Sequence, residues 1–143
     1  MSLGTLGAVI KFSIKLETEA VGFYEKAAER TEDVQMKNII EAIIKQSKKN
    51  IKKLQRVRRE NTTEMILEPI KDLASNQYEQ ITITPEDWTD EEVIEYAQKV
   101  EENIKAFFIN ASGKVDFLGE VAYIFEQLAA KHEENMNSLF KEK

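Results

Sequence analysis

Two glutamates stand at helix positions that would otherwise carry a buried apolar side chain, and no other feature limits the fold of this chain as strongly. Glu17 lies in residues 16–24, LETEAVGFY, and Glu101 lies in residues 100–108, VEENIKAFF. In both stretches an aromatic pair follows six and seven positions after the glutamate. Burying a carboxylate costs free energy unless a partner compensates its charge. The fold must therefore supply partners for Glu17 and Glu101.

The composition is typical of a globular domain. The chain has 143 residues, of which 42% are hydrophobic and 32% charged, so we predict one domain over residues 1–143. The absence of cysteine excludes disulfides, thiolate metal sites and iron–sulfur clusters. No apolar run approaches the roughly 20 residues that a membrane span needs, and the N-terminus lacks the features of a secretory signal. We therefore expect a cytoplasmic protein that is not in a membrane.

Apolar residues recur every three to four positions in four stretches, as in amphipathic helices. The predicted helices cover roughly residues 5–30, 34–62, 90–110 and 115–140, counted from this periodicity. Thr89 and Glu92 fit a capping box at the start of the third helix. Residues 110–113, NASG, predict its end.

The connection between the second and third helices is long. Residues 63–89 include Pro69 and Pro85, and residues 80–84, QITIT, favour extended backbone. The other two links are short and make antiparallel hairpins, so we interpret residues 63–89 as a crossover that packs along the bundle. The predicted fold class is therefore all-α: a four-helix bundle with a long crossover between helices 2 and 3, which is the ferritin-like connectivity.

The second and fourth helices carry matching inward positions, 85 residues apart. Ser47 corresponds to His132 and Asn50 to Asn135, and the apolar residues around them align at the same offset. Together with the copies around Glu17 and Glu101, this pattern predicts a duplicated helical hairpin.

The chain resembles the rubrerythrin branch of the ferritin-like superfamily, through residues 16–24, their copy at 100–108 and the crossover connectivity. The resemblance covers nearly the whole chain. In that family helices 1 and 3 each give one glutamate, and helices 2 and 4 each give Glu-x-x-His. Residues three apart share a helix face, so both can reach one metal. The resemblance therefore implies a di-iron centre that serves peroxide reduction or iron oxidation.

The chain departs from the family pattern at the metal ligands. Glu17 and Glu101 match the glutamates of helices 1 and 3, but the Glu-x-x-His of helix 2 is Ser47-x-x-Asn50. That of helix 4 is His132-x-x-Asn135, so the only histidine stands where a bridging glutamate belongs. The rubredoxin-type module of rubrerythrins, which needs four cysteines, is also missing. The fold carries over from the resemblance, and the di-iron chemistry does not.

One interpretation of these positions needs no cofactor. A protonated His132 offsets one carboxylate, and Ser47, Asn50 and Asn135 supply neutral hydrogen-bond partners. The protein is then a non-catalytic structural or interaction module that has lost its di-iron centre. The substitutions at the ligand positions favour this interpretation.

Two further interpretations remain open. Glu17, Glu101 and His132 could bind one iron, manganese or zinc ion, which would make a metal-binding redox or iron-handling protein with a mononuclear site. Alternatively, a small ligand lies in the bundle beside Tyr24, although a buried tyrosine is more often a core residue. Two metal ions are not expected, because three strong ligands cannot balance two divalent charges.

The charge is distributed unevenly along the sequence. Residues 45–59 hold eight lysines and arginines and no acid, whereas the rest of the chain has 26 acidic and 12 basic side chains. The basic stripe from Lys45 to Arg59 is either a solvated helix face or a surface that docks an acidic partner, such as a second subunit, and a homodimer is the expected assembly. The net charge of −6 gives no general attraction to nucleic acid, and no aromatic residue interleaves the stripe. We therefore do not expect nucleic acid as a partner.

Overall fold

The computed structural model describes residues 5–61, 78, 87–116 and 118–142, and within them the fold is all-helical. The four α-helices are α1 (Leu6–Arg30), α2 (Val34–Glu60), α3 (Asp90–Lys114) and α4 (Gly119–Glu142). No strand occurs among these residues. The predicted all-α, four-helix fold class is confirmed.

Side-chain caps fix where three of the helices begin. The Thr5 hydroxyl accepts a hydrogen bond from the Ala8 amide at the start of α1, and Asp33 accepts one from the Met36 amide at the start of α2. At α3 the predicted capping box is present: Thr89 Oγ1 accepts from the amide of Glu92, whose carboxylate accepts from the Thr89 amide. These bonds satisfy amide groups that have no partner within the helix.

The helices pack as two hairpins laid side by side. The most extensive contacts join α1 to α2 and α3 to α4, and smaller ones join α1 to α3 and α2 to α4. Arg30, at the end of α1, binds Asp90, at the start of α3, with 2.7 Å between Nη1 and Oδ1. Near the start of α1, Phe12 packs edge-on against Phe107 of α3, with ring centroids 5.2 Å apart. Therefore α1 and α3 run antiparallel.

The core between the helices is rich in aromatic side chains. Tyr24, Phe107, Phe108 and Phe125 are the largest of its fully buried side chains. Fully burying one such side chain stabilises the fold by roughly 1.5–3 kcal/mol. This burial fixes which faces of α1, α3 and α4 point inward, and it therefore decides what the polar residues on those faces can reach.

Two predicted helix boundaries are wrong. The sequence NASG was expected to end α3 at residue 110, but the helix continues through it to Lys114. Ala111 and Val115 are fully buried and extend the apolar spacing of Ile104 and Phe108, and this burial outweighs the local stop signal. As a result α4 begins at Gly119 rather than near residue 115.

The predicted crossover over residues 63–89 lies mostly outside the described residues, as do Pro69 and residues 80–84. Tyr78 is described, and it is buried against α3. Its carbonyl accepts a hydrogen bond from Asn103 at 2.7 Å, its hydroxyl bonds Asn110, and its ring packs edge-on against Phe107.

None of the helices in the described part of the chain combines the length and the apolar character needed to cross a membrane.

Candidate functional site

A polar cluster lies at the centre of the bundle, and every helix contributes to it. The six positions singled out in the sequence are all buried: Glu17 of α1, Ser47 and Asn50 of α2, Glu101 of α3, and His132 and Asn135 of α4. Hydrogen bonds join all of them except Ser47 into the cluster. Each continues the apolar spacing of its helix, as His132 does between Leu128 and Leu139. The helical repeat therefore places these polar groups inside without any break in the helices.

His132 bridges the two glutamates. Its Nδ1 lies 2.6 Å from Glu101 Oε1, and its Nε2 lies 2.7 Å from Glu17 Oε2. All three side chains are 0% exposed. An ionised carboxylate only accepts hydrogen bonds, so both ring nitrogens must donate. With both carboxylates ionised, the ring is therefore an imidazolium that carries a proton on each nitrogen.

The charge of the carboxylates keeps this imidazolium protonated. Burial alone lowers the pKa of His132, but the negative charges of Glu17 and Glu101 and their hydrogen bonds outweigh burial and raise that pKa from 6.5 to about 10. Phe108 stacks on the ring, with centroids 6.0 Å apart and an angle of 19° between the planes. The cluster thus combines one buried cation with two buried carboxylates.

The Glu101 carboxylate is well supplied with donors. Oε1 accepts from His132 and from Asn135 Nδ2 at 3.0 Å, and Oε2 accepts from the Tyr24 hydroxyl at 2.7 Å. Burial, the charge of Glu101 and this hydrogen bond raise the pKa of Tyr24 well above its usual value of 10. Tyr24 therefore remains a donor at any physiological pH.

The Glu17 carboxylate is less well supplied. Oε2 accepts from His132 and from Asn50 Nδ2 at 3.2 Å, whereas Oε1 has no hydrogen-bond partner among the described residues. The buried Ser47 hydroxyl also lacks one within the described part of the chain. The two halves of the cluster are therefore satisfied unequally: the α1–α2 half has fewer hydrogen-bond donors than the α3–α4 half.

Gln46 connects the cluster to the surface. Its Nε2 donates to Asn50 Oδ1 at 2.8 Å, and Asn50 in turn donates to Glu17. Gln46 was not a candidate from the sequence, and neither was the stacking of Phe108 on His132. Both could have been found from spacing, since Gln46 lies one helical turn before Asn50 and Phe108 two turns after Glu101.

The cluster does not fit the di-iron centre that the resemblance implies. Such a centre needs bridging carboxylates from helices 2 and 4, where this chain has Ser47 and His132. The His132 ring is directed between Glu17 and Glu101, and both of its nitrogens are engaged by their carboxylates. Among the described residues, no group of three or more histidine, aspartate or glutamate side chains is arranged to hold a metal ion. A single metal ion held by Glu17, Glu101 and His132 would require His132 to lose a proton, because histidine binds metal as a neutral imidazole. This single-metal site stays a prediction.

Comparison of the chain with protein families, with curated proteins and with solved structures finds no match. The candidate site therefore rests on its own residues and geometry.

Proposed function

We propose that this protein is a non-catalytic, ferritin-like helical bundle in which a protonated histidine takes the central place that metal ions take in rubrerythrin-type proteins. One observation carries the proposal: both ring nitrogens of His132 are within 2.7 Å of buried glutamate oxygens. The imidazolium supplies the positive charge that the two carboxylates need. The cluster then serves the stability and the specific pairing of the helices rather than a reaction.

The directions of the helices support the ferritin-like part of the proposal. Since α1 runs antiparallel both to α2 and to α3, α2 ends at the opposite end of the bundle from the start of α3. The ferritin-like connectivity has the same arrangement of helix ends, with a long link between its second and third helices.

Metal analysis of protein purified without chelators tests the proposal. We expect iron, manganese and zinc contents well below one ion per chain, and no change in thermal unfolding after dialysis against a chelator. A near-stoichiometric metal that disappears in Glu101→Ala and in His132→Ala, but is retained in Glu134→Ala, would contradict it. Glu134 is the matched control because it is an exposed residue on the same helix as His132.

The second candidate function is a metal-binding redox or iron-handling protein with a mononuclear site. The observation that favours it is Glu17 Oε1, which has no hydrogen-bond partner among the described residues, because a buried carboxylate oxygen without a donor is available to a cation. In that case Glu17, Glu101 and His132 would hold the ion, with His132 as a neutral imidazole. The same metal analysis separates the two candidates.

The interaction role includes self-association as a homodimer. Ile109, Tyr123 and Phe140 are exposed apolar side chains on the α3–α4 hairpin, and the opposite charges of the basic stripe and the rest of the chain also favour association. We expect sedimentation equilibrium to give a dimer at about 50 mM salt that weakens at about 500 mM, because salt screens charges. A monomer at both salt concentrations would rule the dimer out.

A further inference from the structure

A groove lies between α2 and α4, on the side of the bundle where Asn50 approaches the surface. Its volume is about 300 Å³, within the range of small-molecule sites. Lys49 and Lys53 line it from α2, Lys131 and Gln127 line it from α4, and Asn50 contributes to its lining. Only one acidic side chain, Glu134, lines the same groove.

The lysines of this groove are available to a ligand. Lys49 is exposed and Lys53 is half-buried, and neither forms an ion pair within the described residues. Lys131 makes only a long contact with Glu134, 3.9 Å between Nζ and Oε2. Three cations therefore converge on a concave surface with little internal compensation, a setting that attracts anions.

The groove on the other side of α2 is different. It lies between α1 and α2, where Lys45 and Lys48 face Glu25, Glu29 and Glu41. Lys48 is paired with Glu25 at 3.7 Å. The positive charge of the basic stripe is therefore balanced toward α1 and unbalanced toward α4.

The lining of the α2–α4 groove suits a small anion better than a protein partner. The exposed large apolar residues in the described part of the chain are Val34, Ile109, Tyr123 and Phe140, and none of them lines this groove. Protein interfaces are built around apolar and aromatic residues and are depleted in lysine. Lysine ammonium groups with nearby amide donors are instead typical of phosphate binding.

We infer that the α2–α4 groove is a binding site for a polyphosphate group, held by Lys49, Lys53 and Lys131. More than one phosphate is expected, because three separate cations face the same space. The site would exist whether or not His132 is protonated, so it can be tested apart from the buried cluster.

Titration calorimetry with inorganic tripolyphosphate tests this site. We expect saturable binding by the wild type at about 50 mM salt that weakens at about 200 mM, because salt screens the charges. Lys49→Gln/Lys53→Gln should lose at least about tenfold in affinity, as two charge-assisted contacts are removed. The control Lys11→Gln/Lys26→Gln, which removes two exposed lysines of α1, should stay within about twofold. Circular dichroism would show that both variants remain folded.

Three results would overturn the inference. The first is no saturable binding of tripolyphosphate by the wild type, and the second is an equal loss in the control variant. The third comes from a parallel titration with a duplex DNA of about 20 base pairs, long enough to follow the outer stripe of α2. Binding of the duplex without binding of tripolyphosphate would mean that the basic stripe of α2 binds nucleic acid along the helix and that the groove is not a polyphosphate site.

Discussion

His132 is the residue on which the buried cluster depends. Without its positive charge, two fully buried carboxylates would face each other with only amide and hydroxyl donors between them. Removing one partner of a buried ion pair usually costs about 3–5 kcal/mol, because the remaining charge stays buried. We therefore expect His132→Gln to lower the free energy of unfolding by about that much in urea denaturation.

A second substitution makes this prediction specific to charge. In the His132→Gln background, Glu17→Gln removes one of the two uncompensated carboxylates and should restore part of the lost stability. If Glu17→Gln instead destabilises the His132→Gln variant further, the loss arises from packing rather than from charge.

Tyr24 gives a second prediction at the scale of the residue. Tyr24→Phe removes the hydroxyl that donates to Glu101 Oε2 at 2.7 Å and leaves that oxygen without its donor in the core. We expect a loss of about 1–3 kcal/mol in the free energy of unfolding, measured by urea denaturation. Tyr123→Phe, at an exposed position on α4, is the matched control and should change stability by less than about 0.5 kcal/mol. Equal effects of the two substitutions would argue against the buried hydrogen bond.

At the scale of the helix, the capping box determines where α3 begins, and it does so through contacts within a single turn. Thr89→Ala removes the hydroxyl that accepts from the Glu92 amide and should cost about 1 kcal/mol, seen as a lower thermal unfolding midpoint. Thr18→Ala, at an exposed position inside α1, should leave stability unchanged or raise it slightly, because alanine favours a helix interior. Equal losses from both substitutions would contradict the capping role.

The capping box also shows which features of the fold could be predicted from the sequence. Thr89 and Glu92 are three residues apart and act through local geometry, so their roles were predictable. The end of α3 was not, because Ala111 and Val115 are held in place by burial in the core, which residues 110–113 do not reveal. Signals that act within one turn are visible in a sequence, and burial between helices is only partly visible.

The same distinction applies to the candidate site. Helical spacing placed Glu17, Glu101 and His132 on inward faces, and the structure brings them together. The position of the His132 ring between the two carboxylates, rather than beside them, depends on rotamers and on the distances between three helices. The sequence pattern therefore identified the members of the cluster but could not choose between a metal site and a hydrogen-bonded imidazolium.

For the whole molecule, the raised pKa of His132 predicts how stability depends on pH. The folded protein holds the His132 proton up to about pH 10, whereas the unfolded chain releases it near 6.5. The stabilisation is therefore fully present below pH 6.5 and is lost as the pH rises toward 10, on the order of 5 kcal/mol in total. Tyr24, whose pKa is also raised, contributes a further loss only above pH 10.

Urea denaturation at pH 6.5, 8 and 9.5 checks this dependence. The free energy of unfolding of the wild type should fall by roughly 1 kcal/mol per pH unit across this range. The His132→Gln/Glu17→Gln/Glu101→Gln variant, which keeps none of the three titratable groups at the centre of the cluster, should show a much flatter dependence. Parallel slopes in the two proteins would mean that other groups cause the change.

The protonation state of His132 is the central claim, and it can be observed directly because the chain has a single histidine. Nitrogen-15 NMR of the imidazole ring at pH 8 is the measurement, since a free histidine is largely neutral at this pH. We predict that both ring nitrogens carry a proton and that both N–H signals are protected from exchange with water. A ring nitrogen without a proton at pH 8, whether bare or bound to a metal ion, would contradict the imidazolium bridge between Glu17 and Glu101.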